Sequence, residues 1–187
     1  MAFYRIRPAM LAAGLALLTL GAASVPVVSA APPRRVRVTV GRADYRFLIR
    51  AAQRNVYENR VARLAQKKAA QSAVREYAGA LVREHGARET ELNRLLLDKG
   101  LTPQNSPSAP QKRRLARLSA LRGRAFDLAY LREAVRINRE DAASARRAAR
   151  TTKDRGIREF VRRFAPTEAT HLKRALALRE TDGLPPR

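Results

Sequence analysis

A chain of 187 residues without cysteine has room for one domain and none for a disulfide, a thiolate nucleophile or a cysteine-based zinc site. Its formal charge is +23, with 33 Arg and 6 Lys set against 16 acidic residues; such an excess fits either an anionic partner or a genome that writes arginine for lysine. Tryptophan is absent and aromatics make up 5%, and the Ala-, Leu- and Arg-rich remainder favours helix over strand.

The N-terminus reads as an export signal. Arg5 and Arg7 precede an uncharged stretch from Pro8 to Pro33 whose apolar centre is Ala9–Leu20. Pro26 breaks any helix there, and Val28, Ser29 and Ala30 supply small residues for cleavage after Ala30. Residues 1–30 are therefore expected to be removed, with Arg5 and Arg7 among them, leaving +21. The alternative is a retained anchor, since the uncharged stretch is long enough to span a bilayer. With no cysteine, lipid attachment through that residue is excluded. An exported chain is expected in the periplasm or at the outer membrane. There nucleic acid is a poor partner, and lipopolysaccharide, acidic polysaccharide and phospholipid are better ones.

A Pro- and Arg-rich segment follows at 31–41. From 42 to 180 the apolar residues recur in steps of three and four, as in the stripe of a bundle helix. A first helix is expected over Asp44–Ala69, capped by Asp44, with the seam Leu48, Ala51, Asn55, Glu58, Ala62, Ala65 and Ala69. A second is expected over Ser72–Lys99, capped by Ser72, with the seam Val74, Ala78, Leu81, His85, Arg88, Leu92 and Leu95. Gly100 is placed to end it, with Leu101 folding back. Thr102–Gln111, with three prolines, reads as a loop. A short helix over Lys112–Leu121 follows. The third long helix is expected over Arg124–Thr151, with the seam Leu128, Leu131, Val135, Asn138, Ala142, Ala145 and Ala149. The fourth is expected over Asp154–Glu180, with the seam Ile157, Val161, Phe164, Glu168, His171, Ala175 and Leu178, bent at Pro166. Four such helices with short joints form an antiparallel four-helix bundle. Residues 181–187 form a tail.

Polar residues interrupt these seams: Asn55 and Glu58, then His85, then Asn138, then Glu168 and His171. His85 and His171 are the only histidines. Buried groups of this kind must be paired, hydrogen-bonded or ligated. One reading is a metal site, because bundle di-metal centres take a Glu from each of two helices and a Glu-x-x-His from each of the other two. Glu168 and His171 match that spacing and Glu58 matches a single-Glu contribution. The residue three before His85 is Val82, and Glu84, adjacent to His85, points elsewhere. Glu58, His85, Glu168 and His171 would then hold one zinc, iron or manganese ion. The other reading is a hydrogen-bonded network, with His85 on Glu58 and His171 on Glu168. No glycine-rich phosphate loop and no nucleophile elbow is present. The pairs Arg113-Arg114, Arg146-Arg147 and Arg162-Arg163 read as solvated helix faces. They lack the interleaved aromatics of a base-stacking groove.

The run Asp44-x-x-Phe47-Leu48-x-x-Ala51-Ala52-x-x-Asn55-x-x-Glu58, followed by Leu64-Ala65, Ala69, Val74, Tyr77-Ala78 and Glu84-His85, resembles the first helical hairpin of the bacterial domain-of-unknown-function family 4142. Ala125-Phe126-Asp127-x-x-Tyr130-Leu131, Phe160, Pro166 and His171-Leu172 extend the resemblance to residues 42–178. It implies a ferritin-like bundle in an outer-membrane or periplasmic protein, and no particular activity. It also implies an acidic residue then His in the second helix, and a His in each of the third and fourth. Glu84-His85 and His171 match; Asn138 stands where the third-helix His is expected. The function expected first is a non-enzymatic envelope protein whose basic faces bind anionic material. A metal-binding or oxidoreductive bundle and an accessory protein with a packing role are the alternatives.

Overall fold

The computed structural model describes residues 40–181. The expected signal peptide, most of the 31–41 segment and residues 182–187 lie outside them. Five helices are present, and no strand occurs among the described residues: α1 Arg42–Lys68, α2 Ser72–Asp98, α3 Ala109–Ala120, α4 Gly123–Thr151 and α5 Arg155–Thr181.

The seams foretell the core closely in α1 and α2. Every residue of the α2 seam is buried, and on α1 only Ala51 is half exposed. On α4 only the middle of the seam, Leu131, Val135 and Asn138, is buried; Leu128, Ala142 and Ala145 are half-buried, and at the end Ala148 is buried in place of Ala149. The burial settles into two apolar clusters. One gathers Tyr57, Val61, Tyr77, Leu81, Phe126, Tyr130 and Leu131 with Ala175. The other gathers Leu48, Leu92, Leu95, Leu96, Ile157, Phe160 and Val161. The seam polar residues lie between them along the chain.

Helix ends follow local chemistry, with three departures from the sequence reading. Gly100 has φ 73, and Leu101 and Gly100 donate to the carbonyls of Leu96 and Leu97 at 2.9 Å each. This is the glycine cap expected of it. Asp154 caps α5 by accepting from the Ile157 N–H at 3.0 Å. Asp44, however, lies one turn inside α1, whose N-cap is Gly41, and accepts from the Thr152 hydroxyl at 3.0 Å. Ser72 is already helical, since the N-cap of α2 is Gln71. The capping group comes from elsewhere in the chain: Asp127, fully buried, accepts from the Ala70 N–H at 3.0 and 3.1 Å and from the Gln71 N–H at 2.9 Å. Finally, α3 begins at Ala109, earlier than the prolines suggested, because proline suits the first turn of a helix. The Ser108 N–H donates to Gln111 Oε1 there at 2.7 Å. Helix α5 runs on through Pro166.

Candidate functional site

The polar layer brings together side chains from all four long helices. From α1, Asn55, Glu58 and the half-buried Arg54 face inward; from α2, His85 and Arg88; from α4, Asn138 and Asp141; from α5, Glu168 and His171. The three-and-four step that makes an apolar stripe puts the seam members at one level, because each falls about midway along its helix; Arg54 and Asp141 join them from beside the α1 and α4 seams.

His85 is the best-held member. Its Nδ1 lies 3.1 Å from Asn55 Oδ1 and 3.1 Å from Glu58 Oε2, and Asn55 Nδ2 donates back to the His85 carbonyl at 3.0 Å. Burial, with the nearby Arg88 charge and His171, holds the His85 pKa well below the usual histidine range. Burial therefore favours the neutral ring.

Arg88 is 6% exposed and lies between two carboxyl groups. One nitrogen pairs with Glu168 Oε1 and the other stands 3.8 Å from Glu58 Oε2. The guanidinium also lies over the Phe164 ring, 5.0 Å from its centroid, a favourable cation–π placement. Arg54 forms an ion pair with Asp141, and Asp141 lies within hydrogen-bond reach of Glu58. Three carboxyls thus meet two guanidiniums, an excess of negative charge that burial makes costly. Burial, then the Asp141 charge, pushes Glu58 well above the carboxylate range. Burial also lifts Glu168, against the pull of Arg88, to about 7.

Glu168 and His171 part company. Glu168 turns to Arg88, while His171 Nε2 donates to Glu84 Oε2 at 2.5 Å. Of the two pairings expected, His85 on Glu58 is present, and Glu84 occupies the place expected of Glu168 beside His171. Burial pushes the His171 pKa down, opposed by Glu84. The two imidazole rings lie 5.8 Å apart, centre to centre. Asn138 donates to the Ala134 carbonyl of its own helix at 2.7 Å and lies beside the Tyr77 hydroxyl. That hydroxyl donates to the His171 carbonyl at 3.2 Å.

Glu58, His85, Glu168 and His171 are therefore neighbours joined largely through Arg88 and Glu84. Among the described residues, no three His, Cys, Asp or Glu side chains stand together as a metal-binding group. A small cavity of about 40 Å³, with room for a few waters, adjoins the layer; Arg54, Asn55, Glu58, Arg88, Asp141 and Glu168 line it, with three phenylalanines. Arg88, Asp141 and Arg54 do not stand out in the sequence as parts of this layer, and Glu84 does so only through the family resemblance. For Arg88 the signal was present: it holds a seam position three residues after His85.

The sequence model of DUF4142, a domain of unknown function, matches residues 29–178. No curated protein and no solved structure matches the chain.

Proposed function

We propose a role for this chain, which belongs to the DUF4142 family, as an exported, non-enzymatic helical bundle that binds anionic material of the cell envelope through its arginine-rich surface. One observation carries the reading. Between Arg146 and Arg163, around the α4–α5 joint, eight Arg or Lys residues meet two acidic ones. Both acids already have partners: Asp154 pairs with Lys99 at 2.5 Å and Glu159 with Arg155 at 2.8 Å. Arg146, Arg155, Arg158 and Arg162 line a shallow groove between α4 and α5, floored by Ala145, Ala149 and Val161. All four arginines are exposed. Guanidinium groups set along one groove suit phosphates and carboxylates on a surface, because each binds them in a planar, two-pronged fashion.

An antiparallel, ferritin-like arrangement of α1, α2, α4 and α5 belongs to the same reading. The side-chain pairings support it. Along α1 and α2, Glu58 meets His85 and Gln66 meets Gly79. Along α2 and α5, Glu84 meets His171 and Glu91 meets Arg163. Along α1 and α4, Arg54 meets Asp141 and Tyr57 meets Glu133. In each pair the partner number falls as the first rises. A periplasmic or outer-membrane location rests on the N-terminal sequence. No helix among the described residues is long and apolar enough to cross a membrane.

The test is co-sedimentation of the purified protein with lipopolysaccharide, with acidic polysaccharide and with phosphatidylglycerol vesicles, over a salt series. Binding to at least one should weaken steeply as salt screens the charges, and an Arg146→Glu, Arg162→Glu double variant should weaken it further. Binding to none, or binding indifferent to salt, would exclude the reading. Fractionation with N-terminal sequencing tests export separately; the mature chain should begin at Ala31.

A further inference from the structure

The buried layer poses a question that the surface reading does not answer. Two carboxyl groups on α1 and α5 and an imidazole on α2 converge in the interior, as they do in bundles that carry metal ions. The group between them is a side chain of the protein. Arg88 reaches Glu168 with one nitrogen and approaches Glu58 within 3.8 Å with the other. It pairs directly with Glu168 and is the nearest ion-paired cation to Glu58 apart from the His85 ring. On the far side of Glu58, His85 Nδ1 lies 3.1 Å from the Oε2 atom. That is close to the spacing between neighbouring donors around a tetrahedral ion with bonds of about 2 Å. The adjoining cavity touches Glu58, Arg88 and Glu168.

We propose that Arg88 is the resident cation of this layer, and that it closes a latent divalent-metal site whose ligands are Glu58, His85 and Glu168. The guanidinium supplies positive charge between α1, α2 and α5 and spreads it over two nitrogens, so the carboxyls need not draw together around a point charge. Shortening Arg88 to alanine vacates the guanidinium volume beside an existing cavity and leaves two buried carboxyls without their cation. A zinc or manganese ion supplies two positive charges there, with an imidazole already in reach. His171 stays with Glu84 in this arrangement and is not a ligand. The inference concerns the interior alone and stands or falls independently of anion binding at the surface.

The experiment compares tag-free wild-type protein with Arg88→Ala and Arg88→Lys variants. Each is incubated with zinc or manganese salt, desalted and assayed for bound metal, and its melting temperature is measured with and without the ion. The wild type and Arg88→Lys should retain none and show no metal-dependent rise. Arg88→Ala should retain about one equivalent and melt higher with metal, since binding energy at such a site becomes folding energy. Adding His85→Ala or Glu168→Gln to it should abolish both effects, and adding His171→Ala should not. Wild-type protein that keeps an equivalent of metal would overturn the proposal, as would folded Arg88→Ala protein that takes none. If Arg88→Ala is unfolded alone, zinc should restore its helical signal. Failure to do so, with Arg88→Lys folded, would equally overturn it.

Discussion

Asp127 and Glu168 are both buried acids on the second half of the chain, and the protein handles them in opposite ways. Asp127 sits at the start of α4 and accepts from the backbone N–H groups of Ala70 and Gln71. Those donors are fixed by the α1–α2 joint, and they lie at the N-terminus of α2, where the helix dipole favours negative charge. Glu168 sits mid-helix and relies on Arg88, a long side chain that must be held in place by packing. Backbone donors come already oriented, so little ordering entropy is lost when they meet a carboxylate. A guanidinium must give up rotamer freedom, and burial still lifts Glu168 to about 7. The first arrangement is a permanent cap; the second is a charge balance that one substitution undoes.

The largest effect should come from undoing it. Arg88→Met keeps much of the volume and removes the charge, leaving Glu58 and Glu168 buried without their cation. Breaking a buried ion pair from one side costs about 3–5 kcal/mol. Urea denaturation at pH 7 should show that loss, and a loss below about 1 kcal/mol would mean that water or rearrangement already serves the carboxyls.

The next effect is a dependence on pH. In the unfolded chain Glu168 ionises near its ordinary 4.5, and in the folded protein at about 7. Between those values the folded state holds a proton that the unfolded state has released. Stability from this group is therefore complete below about pH 4.5 and is lost as pH rises towards 7. Glutamine mimics the protonated acid at every pH. Glu168→Gln should accordingly match the wild type near pH 4.5 and gain on it as pH rises, by up to about 3 kcal/mol at pH 8. The two histidines, whose pKa values lie low, contribute in the opposite sense but are present in both proteins, so the difference reports Glu168 together with Glu58, whose ionisation the Glu168 charge opposes. Parallel stability curves from pH 4.5 to 8 would show that Arg88 fully offsets the burial.

The helical class, the four long segments and most of the interior were legible in the sequence because a stripe of period 3.6 depends only on local order. Gly100 was legible for the same reason: its cap is a local event. Asp127 was not, as its cap serves a helix more than fifty residues away in sequence, and no pattern within α4 announces it. The layer was half legible. Asn55, Glu58, His85, Asn138, Glu168 and His171 stood out as polar breaks in apolar seams, and the structure buries all six. Their pairing was not, because which residue faces which depends on rotation and stagger between helices. Glu84 shows this best. It is off the α2 seam and half-buried, yet it reaches across to His171. Arg88 holds a seam position, but arginine is abundant here, and a charge that common reads as surface.

The smallest effect tests the other side of the comparison. Asp127→Ala removes the acceptor for the Ala70 and Gln71 N–H groups. Ala70 is exposed and Gln71 half-exposed, so water can take up part of what the carboxylate gave, and the cost should resemble a lost helix cap, about 1–2 kcal/mol. Asp127→Asn keeps one oxygen acceptor and should lose roughly half as much. Neither loss should vary between pH 6 and 8, since backbone donors do not titrate there, whereas the gain of Glu168→Gln over the wild type should change across its window. The hydrogen-exchange pattern should divide in the same way. Asp127→Ala should speed exchange at the first turn of α2 and leave the middle of α5 protected, while Arg88→Met should loosen α5 around Glu168. If Asp127→Ala instead destabilises as much as Arg88→Met, the backbone cap holds the two hairpins together rather than merely finishing a helix.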